Sequence, residues 1–92
     1  MSGDEDPRRR LAVALHYDHA GAPRVTAKGR GVLAARILEL AAEHGVPVEE
    51  DAALAEALSQ IELDREIPLE LYEAVAAVLR FILMVRGRQG GR

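Results

Sequence analysis

Two histidines, His16 and His19, stand three residues apart with Asp18 between them. An imidazole pair beside a carboxylate can begin a metal site or serve as a general base. A zinc centre needs three or four ligands, however, and the only other histidine, His44, falls at the end of an expected helix. The chain has no Cys, which removes thiolate ligands, thiol nucleophiles and disulfides together. Hydroxyl side chains other than Tyr are limited to Ser2, Thr26 and Ser59, too few to supply a nucleophile and its base. His16 and His19 therefore read as a strand-end and a loop residue, and no metal, cofactor or catalytic residue is expected. A small hydrolase built on either remains a rival that mutating both would remove.

Lys28-Gly29-Arg30-Gly31 is the second candidate. Two cations and two glycines between a strand and a helix start could present free N–H groups to an anion. The order is neither Gly-Lys-Ser/Thr nor Gly-x-Gly-x-x-Gly, so it matches no established phosphate loop, and the glycines are equally suited to a tight turn. A nucleic-acid or anion-binding module using Lys28, Gly29 and Arg30 is the alternative reading. The third candidate is acidic: nine carboxylates lie between Glu49 and Glu73 with only Arg65 to oppose them. Paired carboxylates catalyse only where a pocket separates their pKa values, and these fall at helix starts and on polar faces. They read as a solvated surface.

The 92 residues, 49% hydrophobic and 29% charged, are one small domain with a core of Leu, Val, Ile and Ala. The net charge of −3 is unevenly spread. Residues 1–46 hold seven Lys/Arg against six Asp/Glu, and residues 47–92 hold five against nine. Such a bipolar field orients a charged partner better than it holds nucleic acid, and no nucleic-acid partner is expected. The start of the chain lacks the apolar stretch of a secretory signal, so a cytoplasmic location is expected. The longest apolar run, Ala74 to Val85, is 12 residues interrupted by Arg80. A bilayer span needs about 20, so membrane insertion is not expected.

The elements that must position these residues follow from periodicity. Residues 1–10 and 86–92 read as flexible tails, the second one basic, around a domain at 11–85. Leu11 to Tyr17 alternates large and small and predicts a strand, and Arg24 to Lys28 predicts a second, antiparallel to it. A helix follows Gly31 with Leu33, Ile37, Leu40 and His44 on one stripe, and Gly45 ends it. Val46 to Glu49 predicts a third strand, started or edged by Pro47. Asp51 caps a helix to about Gln60. Pro68 opens a last helix that buries Leu71, Val75, Val78, Leu79 and Ile82. The expectation is an α/β domain of β-β-α-β-α-α order, a small mixed sheet of about three strands covered by helices. Ala22-Pro23 precedes the second strand, and Ala76 and Leu79 share a side of the last helix. Small residues beside a Leu can leave a shallow apolar depression for a short peptide, although ordinary core packing is the better explanation of the residues alone.

Taken together, several segments resemble one family. They are Ala12-Val-Ala-Leu-His-Tyr-Asp18, Ala22-Pro-Arg-Val-Thr-Ala-Lys-Gly29, Leu33-Ala-Ala-Arg-Ile37, His44-Gly-Val-Pro47, Leu54-Ala-Glu-Ala-Leu58 and Glu66-Ile-Pro-Leu-Glu-Leu-Tyr72 with its continuation to Leu79. In order and spacing they look like the cytoplasmic domain of the flagellar export switch protein FlhB and of the related YscU-type injectisome proteins. The resemblance implies a non-enzymatic part of the type III export apparatus. It would dock export substrates or export-gate proteins around Ala22, Pro23, Ala76 and Leu79, in place of or beside the FlhB C-terminal domain. The family's self-cleaving Asn-Pro-Thr-His motif would fall at Pro7-Arg-Arg-Arg10, and the chain contains no Asn. The resemblance further implies a free-standing counterpart of the cleavage product. Without the family's preceding strand, one sheet edge would stay open for strand addition or a weak homodimer.

Overall fold

The computed structural model describes residues 6–18 and 20–90. Alternation of large and small residues makes β1 (Leu11–His16), and a run rich in β-branched and small residues makes β2 (Arg24–Arg30). They pair antiparallel, as expected, from Leu11 opposite Arg30 to His16 opposite Arg24. Ala14 lies opposite Ala27 and Leu15 opposite Val25, so Thr26 is the extra residue of a β-bulge. Its hydroxyl donates to the Ala14 carbonyl at 3.3 Å. The bulge keeps Val25 aligned with Val13 and Leu15, and Val25 is wholly buried.

Helices cover this ribbon. α1 (Val32–Glu43) packs against both strands, and α2 (Ala52–Leu58) packs against β1 and α3 (Leu69–Gly90). The core is Val25, Leu58, Ile67 and Val75, with Val13, Leu15, Leu54, Ile61, Leu71 and Leu79 around it. Asp51 caps α2 as expected, accepting the Leu54 N–H at 3.0 Å. At the end of α1, Gly45 has φ 67° and donates to Ala42, while Val46 donates to Ala41. That pair of bonds is a Schellman motif, whose left-handed position favours glycine.

The α/β class with helical cover holds, but four details of the expected pattern change. Val46 to Glu49 is not a strand. It is irregular and exposed, because Pro47 lacks a donor and none of the described strands lies beside it to pair with. The sheet of the described residues has two strands. The inward face of α1 is Ala34, Ile37, Leu38 and Ala41; of the expected stripe Ile37 faces inward, while Leu33, Leu40 and His44 are exposed. Ala34 is wholly buried, whereas Leu33 is 62% exposed although its Cβ lies close over Gly29. Neither expected tail is wholly free of structure. Pro7–Arg9 is a short 3-10 helix, and Gly31 donates to the Arg10 carbonyl at 2.9 Å. At the other end α3 continues through Gly90, since no proline interrupts it and Arg and Gln are good helix formers.

The sheet edges differ. β2 is partly covered, for Val25 donates to Arg65, Asp64 donates to Val25, and Ile67 donates to Pro23. No strand among the described residues pairs with the outer edge of β1. Among the described residues, no helix is long and apolar enough to cross a membrane.

Candidate functional site

α3 presents two faces. Leu71, Val75 and Leu79 turn toward the core, and Tyr72, Ala76, Leu79 and Leu83 form a second stripe beside it. Tyr17, just past the end of β1, stands against that stripe. The result is a depression of about 190 Å³ lined by Tyr17, Tyr72, Ala76, Leu79, Arg80 and Leu83. Its floor is made small by Ala76, its walls are aromatic and aliphatic, and Arg80 lies exposed on the rim. Such a surface can bury an apolar side chain and steer an acidic flank, but it holds no nucleophile.

The four residues expected to form one docking patch are divided by the structure. Ala76 and Leu79 line the depression. Pro23 does not reach the surface; its side chain is fully buried, and its carbonyl accepts the Ile67 N–H. Ala22 is half-buried against the core. Pro23, through its carbonyl, and Val25 bond the segment Asp64–Ile67 that leads into α3, and neither Ala22 nor Pro23 is among the residues lining the depression. Tyr17, Tyr72, Arg80 and Leu83 were not foreseen. The signal was present in the three- and four-residue spacing of Tyr72, Ala76, Leu79 and Leu83, one notch around the helix from the core stripe.

A second depression, about 300 Å³, is lined by Leu11, Lys28, Gly29, Arg30, Ser59 and Gln60, and so contains the candidate anion loop. Its cations are engaged. Lys28 Nζ donates to the carbonyls of Ser59 at 2.9 Å and Ile61 at 2.6 Å. Arg30 is paired with the Glu56 carboxylate at 2.8 Å. Gly29 and Gly31 have structural reasons of their own: a Cβ on Gly29 would meet Leu33 Cβ at 2.5 Å, and Gly31 holds φ 61°. An anion here would compete with a carboxylate and two carbonyls, so the geometry favours the apolar depression.

Of the histidines, His16 is exposed at the end of β1, His44 is exposed at the end of α1, and His19 lies outside the described residues. No group of three or more His, Cys, Asp or Glu converges on a metal position among the described residues. Asp18 turns to the backbone instead. The Ala20 N–H donates to its carboxylate at 2.9 Å and holds its pKa below 3.8.

Comparison with known proteins places this architecture. Residues 7–82 match the family described as FlhB HrpN YscU SpaS. The Bacillus subtilis protein YlqH is 47% identical over 75 residues, covering 79% of this chain and 81% of its own. The flagellar biosynthetic protein FlhB of Salmonella typhimurium is 46% identical over 78 residues, covering 82% of this chain but 20% of its own length. The chain thus spans most of YlqH and about one fifth of FlhB. Among solved structures, the cytoplasmic domain of FlhB from Shewanella putrefaciens aligns with a TM-score of 0.82 at 37% identity, over 89% of this chain and 69% of that one. The PscU C-terminal domain aligns at 0.73 and 36% identity, over 78% of this chain and 95% of that one. The chain belongs to the FlhB/YscU family of flagellar and type III export switch proteins, and its fold is that of their C-terminal cytoplasmic domains.

Proposed function

We propose that this protein is a non-enzymatic docking module of the flagellar or type III export apparatus, working in the cytoplasm. It receives short apolar segments of export substrates or export-gate proteins in the depression of Tyr17, Tyr72, Ala76, Leu79, Arg80 and Leu83. It does so in place of, or beside, the C-terminal domain of a full-length FlhB-type protein. The observation that carries this reading is the apolar depression on α3, which includes Ala76 and Leu79, in a chain nearly half identical to the corresponding fifth of FlhB. Pro23 accepts the Ile67 N–H ahead of α3, and Ala22 packs against the core, so both act by holding the α3 entry rather than by lining the depression. The outer edge of β1, with which no strand among the described residues pairs, is a second surface, suited to a strand from an export-apparatus protein or to a weak homodimer.

The test is a titration of the labelled domain with peptides from the N-terminal segments of flagellar export substrates, followed by amide chemical shifts. Shifts centred on Tyr72 to Leu83 and Tyr17 are expected. Shifts centred on Lys28 to Gly31, or none at all, would contradict the proposal.

A further inference from the structure

The exposed stripe of α3 is longer than the depression it helps to line. Leu69, Tyr72, Ala76, Leu79 and Leu83 follow one another at intervals of three, four, three and four residues. That is the seam spacing of a helix that packs along another helix. Three of these residues are poorly covered: Leu69 is 85% exposed, Leu83 50% and Tyr72 38%. The seam has one charged flank, because Glu73 and Arg80 lie seven residues apart on the same side of it. Both are exposed, and neither has an ion-pair partner among the described residues.

This arrangement is self-complementary in one orientation. In an antiparallel pair of α3 helices, a two-fold axis between Ala76 and Leu79 sets Ala76 against Leu79 of the second copy and Tyr72 against its Leu83. The same axis sets Glu73 against Arg80 of the second copy, twice by symmetry. Ala76 lets the two backbones approach closely at the centre, where a larger residue would hold them apart. A parallel pair would not bring these two charges together. From the seam and its flank we propose that α3 is a self-association face on which a second copy of this chain packs antiparallel through Tyr72, Ala76, Leu79 and Leu83. Tyr72, Ala76, Leu79, Arg80 and Leu83 also line the depression, so the dimer covers it, and self-association and partner docking exclude one another. The competition rests on the docking reading; the pairing itself does not.

A contact of about three helical turns is smaller than the roughly 1,200 Å² of stable interfaces, so the dimer is weak and concentration-dependent. Sedimentation equilibrium of the full chain, from micromolar to millimolar concentration and with no peptide present, reads it directly. Glu73→Arg and Arg80→Glu each turn two attractions into two repulsions, and each should weaken self-association about tenfold. Mixing the two variants restores opposite charges across the seam and should recover a heterodimer, as should the double variant carrying both changes. Circular dichroism checks that each variant keeps its helices. A wild-type monomer throughout, or a dimer indifferent to both substitutions, would overturn the proposal. So would two variants that stay monomeric when mixed. Because no peptide is used, these outcomes leave the docking reading to its own test.

Discussion

Lys28 and Ile61 are joined by a 2.6 Å bond from the lysine ammonium to a backbone carbonyl, and the same ammonium holds the carbonyl of Ser59 at 2.9 Å. A cation from the middle of β2 therefore closes the C-terminal end of α2, where unpaired carbonyls and the negative end of the helix dipole collect. The residue that looks most like an anion ligand in the sequence is a fastener between strand and helix.

Replacing it has a defined cost. Lys28→Met removes the donor and leaves two half-buried carbonyls without it, a loss of about 1–3 kcal/mol. Urea denaturation should show the lower stability, with peptide binding at the α3 depression retained. Unchanged stability would mean that water replaces the ammonium at both carbonyls.

The glycines of the same loop should respond by different mechanisms. Gly29→Ala drives a Cβ to 2.5 Å from Leu33 Cβ, so β2 and α1 must part, at about 1–3 kcal/mol. Leu33→Ala cannot relieve this, because alanine keeps the offending Cβ. Gly31→Ala meets nothing closer than 3.5 Å but must hold φ 61°, and should lose about 1–3 kcal/mol through backbone strain. Thermal melts of the two single variants and of Gly29→Ala/Leu33→Ala test this; rescue by the second substitution would refute the close-approach argument.

Acid should loosen both turns that rest on carboxylates. The Arg8 guanidinium and the Arg8 backbone N–H hold the Asp6 pKa below its ordinary 3.8, and the Ala20 N–H does the same for Asp18. Their contribution is complete above the unfolded value and lost as pH falls through the folded ones. Asp18 is exposed and Asp6 partly so, and each is held by local bonds only, so the effect is small, confined to pH below about 4. Asp18→Ser should flatten the stability profile in that range; a profile unaltered by it would remove Asp18 from the account.

The protein should remain one uncleaved chain. Cyclisation of an Asn side chain onto its own carbonyl is unavailable, since the sequence contains no Asn. Purified protein held near neutral pH should give a single intact mass, and a spontaneous break between Pro7 and Leu11 would contradict this.

How much of this was legible in the sequence depended on the range of the interaction. β1, β2, the cap at Asp51 and the Gly45 terminus rest on neighbours within a few residues, and local pattern finds them. The orientation of α1, with Ala34 inward, is set by packing against β1 and β2, segments distant in the chain that periodicity along one helix does not contain. Val46 to Glu49 has strand composition, but a strand requires a partner, and composition is silent on partners. At the candidate site, Ala76 and Leu79 line the α3 depression while Pro23 is buried: a proline before a strand looks exposed until Ile67 is seen to bond its carbonyl. Tyr17 could join the depression only once the end of β1 was brought against α3.

The central claim is that the α3 depression receives apolar segments of export partners, and a charge placed at its floor tests it most directly. Ala76→Arg puts a guanidinium where an apolar side chain would be buried, so the segment must be lost or must bury a poorly solvated charge. Calorimetric titration with an export-substrate N-terminal peptide should show binding at least tenfold weaker, about 1.4 kcal/mol, with an unchanged far-ultraviolet spectrum. Equal affinity for the wild type and the folded variant would place docking elsewhere and contradict the account.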